Sequence, residues 1–284
     1  MIIIFILILI IFLEIVRETH TFKVTHYQIK SPKLSRRKTD LNIMFLSDLH
    51  NTVYGKSNEK LIKKIKEEAP DLILVGGDML IGKRDIPYTT AEKFMIQLSM
   101  IAPVYCANGN HEQRMREKPQ EYGFAYDKYR KTLTNNRIIM LENTSYVRDW
   151  DSELAMITGL EIPLFYYDTF NHCQLSVNEI EEKIGKSSMV YYQILLAHNP
   201  VHADTYVKGG ADLVLSGHLH GGIIRIPFVG GIMSPQVKLF PRFSGGIYNV
   251  DHSTVVVSRG LGNHTIKLRL FNPAEVVMLH LNGK

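Results

Sequence analysis

Five short apolar runs, each ending at a polar motif, limit what this chain can fold into more than any other feature. Ile43–Leu46 leads into Ser47-Asp48-Leu49-His50, and Leu72–Val75 into Gly76-Gly77-Asp78. Val104–Cys106 leads into Asn108-Gly109-Asn110-His111-Glu112, Gln193–Ala197 into His198, and Leu213–Leu215 into Ser216-Gly217-His218-Leu219-His220. Runs of this length without polar alternation read as strands buried on both faces. Each motif therefore follows the C-terminal end of a buried strand, the edge where open α/β sheets bind their ligands. Glycines just before Asp78, Asn110 and His218 permit tight turns and close backbone approach.

Helical patterns fill the spaces between the runs. Asn58–Glu68 carries Leu61, Ile62 and Ile65 on one face, with Ser57 as the expected cap, and Ala91–Met100 carries Phe94, Met95 and Leu98. Ser176-Val177-Asn178-Glu179 is a capping box that opens Val177–Ile184, and Gly185 suits the stop. Pro200 is placed to begin another helix, ended by Gly209-Gly210. With 284 residues, 45% hydrophobic and 21% charged, one α/β domain with a large core is the simplest arrangement. Cys106 and Cys173 lie in unlike contexts and form neither a disulfide framework nor a zinc spacing.

The motifs carry metal chemistry. They supply Asp48, Asp78, Asn110, His50, His111, His198, His218 and His220, residue types that suit zinc, iron and manganese. Taken singly, a D-x-H or G-D pair is an ordinary turn, and a lone histidine is an ordinary core residue. Eight such residues at strand ends exceed the needs of one ion. They can serve two if a carboxylate bridges, a recurrent device for cleaving phosphoesters by metal-activated hydroxide.

The ordered set D-x-H, G-D, G-N-H-E, H and G-H-x-H resembles the calcineurin-like metallophosphoesterase superfamily, from about Asn42 to Leu281. The resemblance implies a four-layer αββα sandwich of two mixed sheets holding two divalent ions (Mn, Zn or Fe). By motif, one ion would take Asp48, His50, Asp78 and His220, and the other Asp78, Asn110, His198 and His218, with Asp78 bridging. It also implies that His111 is the catalytic acid and that Glu112 orients His111 or a ligand. Ser258–His264 resembles a loop of the bacterial membrane-associated branch, which includes UDP-diacylglucosamine pyrophosphatases. That loop would return to the site with Arg259 as a phosphate contact, and Asn51 is a second candidate contact. The Gly-, Pro- and aromatic-rich stretch from Pro227 to Gly246 reads as an irregular loop beside the site and a candidate pocket wall.

The N-terminus is the other pronounced feature. Met1–Leu13 has no polar side chain, and Ile15 and Val16 follow Glu14. A full span wants roughly 20 apolar residues. No basic residue precedes the run and no small-residue cleavage site follows it, so a signal peptide fits poorly. Positions 1–16 are expected to be an uncleaved anchor helix, 17–40 a basic juxtamembrane linker and 41–284 the phosphoesterase domain. Arg17, Lys23, Lys30, Lys33, Arg36, Arg37 and Lys38 face only Glu14 and Glu18 over positions 1–38, which accounts for the whole net charge of +5. Such a strip attracts anionic lipid and favours a cytoplasmic catalytic domain.

The sequence therefore leads to the expectation of a membrane-anchored phosphoesterase acting on a phosphodiester or pyrophosphate, with a lipid-linked substrate as a candidate. A phosphoprotein phosphatase and a soluble-nucleotide phosphodiesterase of the same fold remain open alternatives. The charge-neutral catalytic region lacks a nucleic-acid footprint.

Overall fold

A computed structural model describes residues 1–35, 39–150, 153–169, 173–222, 224–226, 229–233, 239–263 and 268–283. Arg36, Arg37 and Lys38 of the basic strip, Pro227 and Phe228 of the aromatic stretch, and His264 lie outside that set.

The strands, in chain order, are β1 (Phe22–Lys30), β2 (Leu41–Leu46), β3 (Leu72–Val75), β4 (Val104–Ala107), β5 (Ile139–Leu141), β6 (Thr144–Trp150), β7 (Glu153–Leu160), β8 (Tyr192–Ala197), β9 (Leu213–Ser216), β10 (Arg225–Ile226), β11 (Gly230–Gly231), β12 (Gly246–Val250), β13 (Ser253–Val257) and β14 (Ala274–Asn282). They form two mixed six-stranded sheets, ordered β1-β14-β2-β3-β4-β5 and β12-β13-β9-β8-β7-β6, and a small β10-β11 ribbon. The helices are α1 (Ile2–His20), α2 (Glu59–Glu68), α3 (Thr89–Ser99), α4 (Asn110–Glu117), α5 (Pro119–Tyr122), α6 (Ala125–Asn135), α7 (Val177–Ile184) and α8 (Ala203–Lys208).

Alternate side chains of the apolar runs serve different layers. In β2, Ile43 and Phe45 join the core between the sheets, while Met44 and Leu46 pack outward with Leu61 of α2, Phe94 of α3 and Tyr129 of α6. In β8, Ile194 and Leu196 face inward, while Leu195 and Ala197 pack with Ile180 of α7 and Tyr206 of α8. Three apolar clusters separate four layers in the order helix, sheet, sheet, helix, as expected. The period-2 geometry of a strand explains the missing polar alternation, since both faces are covered.

The Ser176 capping box forms as read: Ser176 Oγ accepts the Glu179 N–H at 3.2 Å, and Glu179 accepts the Ser176 N–H at 2.9 Å. The expected Ser57 cap does not. Ser57 is left-handed with φ 53°, Asn58 precedes the helix, and the Asn58 side chain accepts the Tyr54 N–H at 2.8 Å.

Two N-terminal expectations need correction. The expected linker 17–40 contains β1, which pairs in parallel with β14 from Phe22↔Ala274 to Lys30↔Asn282. The nine-residue pairing satisfies backbone groups that a linker would leave to water. Helix α1 runs to His20 and buries Glu18, whose carboxylate accepts the Asn272 N–H at 2.8 Å. No described helix is long and apolar enough to cross a membrane. Glu14, Arg17 and Glu18 in the last two turns of α1 break its apolar character. The anchor helix expected at 1–16 is therefore not a membrane span.

Candidate metal centre

The strand ends of both sheets meet at one place. The first sheet delivers Asp48 and His50 after β2, Asp78 after β3, and Asn110 and His111 after β4. The second delivers His198 after β8, and His218 and His220 after β9. The loops pack too closely for side chains at certain positions. A Cβ on Gly77 would lie 2.0 Å from Gly109 N, and one on Gly109 would lie 2.2 Å from Asp78 Oδ1. Asp48, His50, Asp78, His218 and His220 all have φ between +46° and +65°. Left-handed backbone at non-glycine residues is costly and collects at functional sites. Here it turns the chain sharply after each strand and brings the side chains together.

Three overlapping groups have ligand-type atoms within 4.8 Å of one another: Asp48, His50 and His220; Asp78, His198 and His218; and His50, Asp78 and His111. Asp78 Oδ2 lies 3.1 Å from His198 Nε2, 3.8 Å from His50 Nε2 and 3.9 Å from His111 Nε2. Asp48 Oδ1 lies 3.3 Å from His220 Nε2. The His50 and His220 Nε2 atoms face each other at 3.1 Å, a separation that ligand distances of about 2.0–2.1 Å accommodate on one ion. The buried Asn110 Oδ1 has no hydrogen-bond partner, and neither does His198 Nε2, which lies near Asp78 without hydrogen-bond geometry. Buried polar atoms are ordinarily satisfied, so this donor set fits a divalent cation.

Hydrogen bonds at the far ring nitrogens divide the histidines by role. The Gly76 carbonyl can only accept, so His198 Nδ1 carries a proton and donates to it at 2.7 Å. In the neutral ring this leaves the Nε2 lone pair aimed at Asp78. His220 Nδ1 meets the Gly262 carbonyl in the same way at 3.3 Å. His111 is reversed: the Gly82 N–H donates to its Nδ1 at 2.9 Å. The neutral His111 ring therefore carries its proton on Nε2, on the side facing Asp78. His198 and His220 therefore turn a lone pair toward the acidic cluster, whereas His111 turns an N–H toward it.

The electrostatics are those of a crowded buried site. Burial raises Asp48, and this outweighs the pull of His198 and His50. Burial also acts to raise Asp78, but His198, His111 and His50 prevail and hold it well below the usual carboxylate range. Burial would lower His198, yet Asp78 and Asp48 push it up to about 10. Burial, then the Asp78 charge, raises Glu112 to about 7.

The residues expected around the ligands have distinct placements. Glu112 accepts the N–H groups of Asp78 and Met79 at 2.8 Å and of Gly109 at 3.1 Å; it orders the Asp78 loop rather than His111. The 258–263 loop does return to the site, with Gly262 N–H donating to the Asp48 carbonyl and Leu261 N–H to that of Ser47. The Arg259 guanidinium instead lies beside Glu275, with Nε 3.8 Å from Oε2. The Asn51 amide donates to the Pro87 carbonyl at 3.1 Å. Sequence reasoning missed Ser47, whose hydroxyl donates to Asp48 Oδ2 at 2.6 Å, and Asn272, whose amide donates to the His220 carbonyl at 2.7 Å. It also missed Tyr167, whose ring is 5.0 Å from that of His218. Ser47 is adjacent to a ligand candidate and was within reach of the sequence. Tyr167 and Asn272 sit in no motif.

Fold and site together define a phosphoesterase class with a His/Asp centre. The family model for calcineurin-like phosphoesterases matches residues 41–222. The chain belongs to that family, and with it to the metal-dependent phosphoric ester hydrolases. It is 31% identical over 270 residues to a metallophosphoesterase of Campylobacter jejuni, an alignment covering 93% of this chain and 64% of that protein. It is 26% identical to the phosphodiesterase YaeI of Escherichia coli, over 84% of this chain and 81% of YaeI. Its fold is similar to that of a phosphopantetheinyl hydrolase from Mycobacterium tuberculosis, with a TM-score of 0.51, 13% identity, and coverage of 82% of this chain and 96% of that one.

Proposed function

We propose that the protein holds two divalent ions and hydrolyses a phosphodiester or pyrophosphate bond of a lipid-linked substrate at a membrane surface. Asp48, His50, Asp78 and His220 would hold one ion, and Asp78, Asn110, His198 and His218 the other. The observation that carries the chemistry is the opposed protonation of the histidines around Asp78: His198 Nδ1 donates to Gly76 O, and His111 Nδ1 accepts from Gly82 N–H. One ring offers a lone pair to the site and the other a proton.

Bound there, the ions would neutralise phosphoryl charge and supply a water acidified to near neutrality. The chain's own residues do the rest. Asp48 is fixed by Ser47 Oγ and by the His218 N–H at 3.0 Å, and Asp78 by the His111 N–H at 2.9 Å. With both carboxylates immobilised, the ligands are positioned before substrate arrives. His111 Nε2 would give its proton to the leaving oxygen. The phosphodiesterase activity named for YaeI supports a diester.

The membrane reading is supported by α1. Every side chain from Met1 to Leu13 is at least 44% exposed, so the helix is apolar on all faces and covered by nothing in the described chain. An exposed apolar surface of this extent marks a membrane or protein contact. Too polar at its C-terminal end to span, α1 is proposed to insert at the interface, with anionic lipid at the basic positions and the catalytic domain in the cytoplasm.

The test is hydrolysis of a small phosphodiester, a phosphomonoester and a nucleotide-lipid pyrophosphate by the manganese-loaded full chain, in solution and on vesicles. Chelator-sensitive cleavage of the diester or pyrophosphate, enhanced on vesicles, is expected. Activity confined to the monoester would overturn the substrate reading, and equal rates in both settings would overturn the surface reading.

A further inference from the structure

Beside the metal loops, where β12 of the second sheet approaches the edge strand β1 of the first, lies a cavity of about 630 Å³. That volume is in the range that holds a ligand of drug or lipid-headgroup size. The cavity has two kinds of wall. Arg225, Arg259 and Arg242 (the last paired with Asp204 at 2.8 Å) are cationic, while Ile226, Val229, Phe240 and Phe271 are apolar and at least 41% exposed.

Arg225 and Arg259 are held in place and share one nearby carboxylate, Glu275. Arg225 Nη1 donates to the carbonyls of Gly221 at 3.0 Å and Ser244 at 3.3 Å, which fixes the guanidinium through dipoles. Glu275 is fully buried and already committed: it accepts the Arg259 N–H at 2.9 Å and the Thr25 hydroxyl at 2.9 Å. Arg259 Nε lies 3.8 Å from Glu275 Oε2 and is buried without a hydrogen-bond partner. Burial, followed by the Arg259 charge, pushes Arg225 below its ordinary value. Two guanidiniums crowded in one partly buried place favour an anion, and phosphate matches their fork-like geometry.

The cavity is continuous with both features already described. Gly221, which accepts from Arg225, follows His220 directly. A Cβ on Gly260, next to Arg259, would lie 2.8 Å from Asp48 Cβ. Phe271 precedes Asn272, whose N–H donates to Glu18 near the end of α1. The cavity thus adjoins the loops of the metal centre and the segment that holds the C-terminal end of α1.

We infer that this cavity binds an anionic membrane phospholipid, with its phosphate on Arg225 and Arg259 and its proximal acyl chain against Phe240 and Phe271. The inference rests on the membrane-surface reading above and deepens it: the lipid fixes the angle at which the metal centre meets the bilayer.

The experiment uses the full chain in neutral detergent micelles, titrated separately with dioctanoyl phosphatidylglycerol, inorganic phosphate and dioctanoylglycerol. Amide exchange of β10 and β12 is the readout. Phosphatidylglycerol is expected to protect both strands, and the other two probes to protect neither. Arg225→Gln and Phe240→Ser are each expected to weaken protection by about tenfold, the usual effect of losing one charge-assisted bond or one apolar contact. Metal content reports whether Arg225→Gln disturbs the Gly221 loop, and if it does, Phe240→Ser decides. Equal protection by inorganic phosphate would reveal a free-phosphate site and overturn the lipid assignment. Equal protection by dioctanoylglycerol would remove the role of the arginines. Vesicle flotation of the unaltered chain tests the membrane reading separately, so flotation without protection would overturn the cavity inference alone.

Discussion

Glu112 holds Asp78 by its backbone: Oε2 accepts the Asp78 N–H at 2.8 Å, and Oε1 accepts that of Met79 at 2.8 Å. Oε2 also accepts the Gly109 N–H at 3.1 Å, tying the β3 and β4 loops together. Asp78 has φ 54°, a conformation that costs about 1–3 kcal/mol unless its surroundings enforce it. Glu112→Gln keeps one acceptor oxygen and is expected to weaken metal affinity or activity by roughly 10- to 100-fold, the span for partners that orient ligands. Glu112→Ala should cost more. Metal titration of the two variants checks this, and parent-like affinity in Glu112→Ala would remove Glu112 from that role.

Asp78 Oδ2 lies between 3.1 and 3.9 Å from the Nε2 atoms of His198, His50 and His111. Asp78→Asn is expected to lose more metal than any single histidine substitution, because it would touch both ions. Elemental analysis after manganese or zinc loading reads the outcome. One ion or none in the unaltered protein would sink the dinuclear proposal.

His111 is expected to matter for the leaving group rather than for metal. His111→Ala should slow hydrolysis of an ester with a poor leaving group by about 100- to 10,000-fold. A nitrophenolate ester needs no proton and should suffer less, and metal content should stay near the parent's. Equal losses on the two esters would move His111 out of the acid role.

The metal-free protein should have a marked pH dependence on its alkaline side. His198 is raised from 6.5 to about 10, so the stabilisation it provides is full below pH 6.5 and is lost as pH rises through 10. Asp78 is lowered, so its contribution is present above 3.8 and lost as pH falls through its folded-state value. Thermal melts of metal-free protein should therefore fall between pH 6.5 and 10, and His198→Gln should flatten that limb. Ligation needs the unprotonated Nε2, so manganese loading at about pH 8 should expel a proton. Calorimetry in buffers of unlike protonation enthalpy detects it, and a heat independent of buffer would contradict His198 as a ligand.

Two N-terminal truncations should behave differently. Removing residues 2–13 takes away only exposed side chains and is expected to abolish vesicle flotation while leaving the melting temperature nearly unchanged. Removing residues 1–38 also strips β1 from β14 and exposes the buried Ile29. That truncation should melt several degrees lower, each 1 kcal/mol being worth roughly 2–4 °C in a chain of this size. Identical melts would mean that β1 adds nothing to the sheet.

The sequence by itself determined the five strands that lead into the motifs and what stands at their ends. Ile43–Leu46 and Gln193–Ala197 are apolar throughout because helices and the opposite sheet cover both faces, and burial leaves that mark in composition. The order of Asp48, His50, Asp78, Asn110, His198, His218 and His220 was readable because each motif follows its own strand. Tertiary structure decided the rest, because the physics there is non-local. The proton on His198 is set by the Gly76 carbonyl, and that on His111 by the Gly82 N–H; no spacing within either motif encodes such partners. Likewise β1 became a strand only because β14, some 250 positions away, offers a free edge. Arg259 took its place from the buried Glu275 on β14 rather than from the loop motif it belongs to.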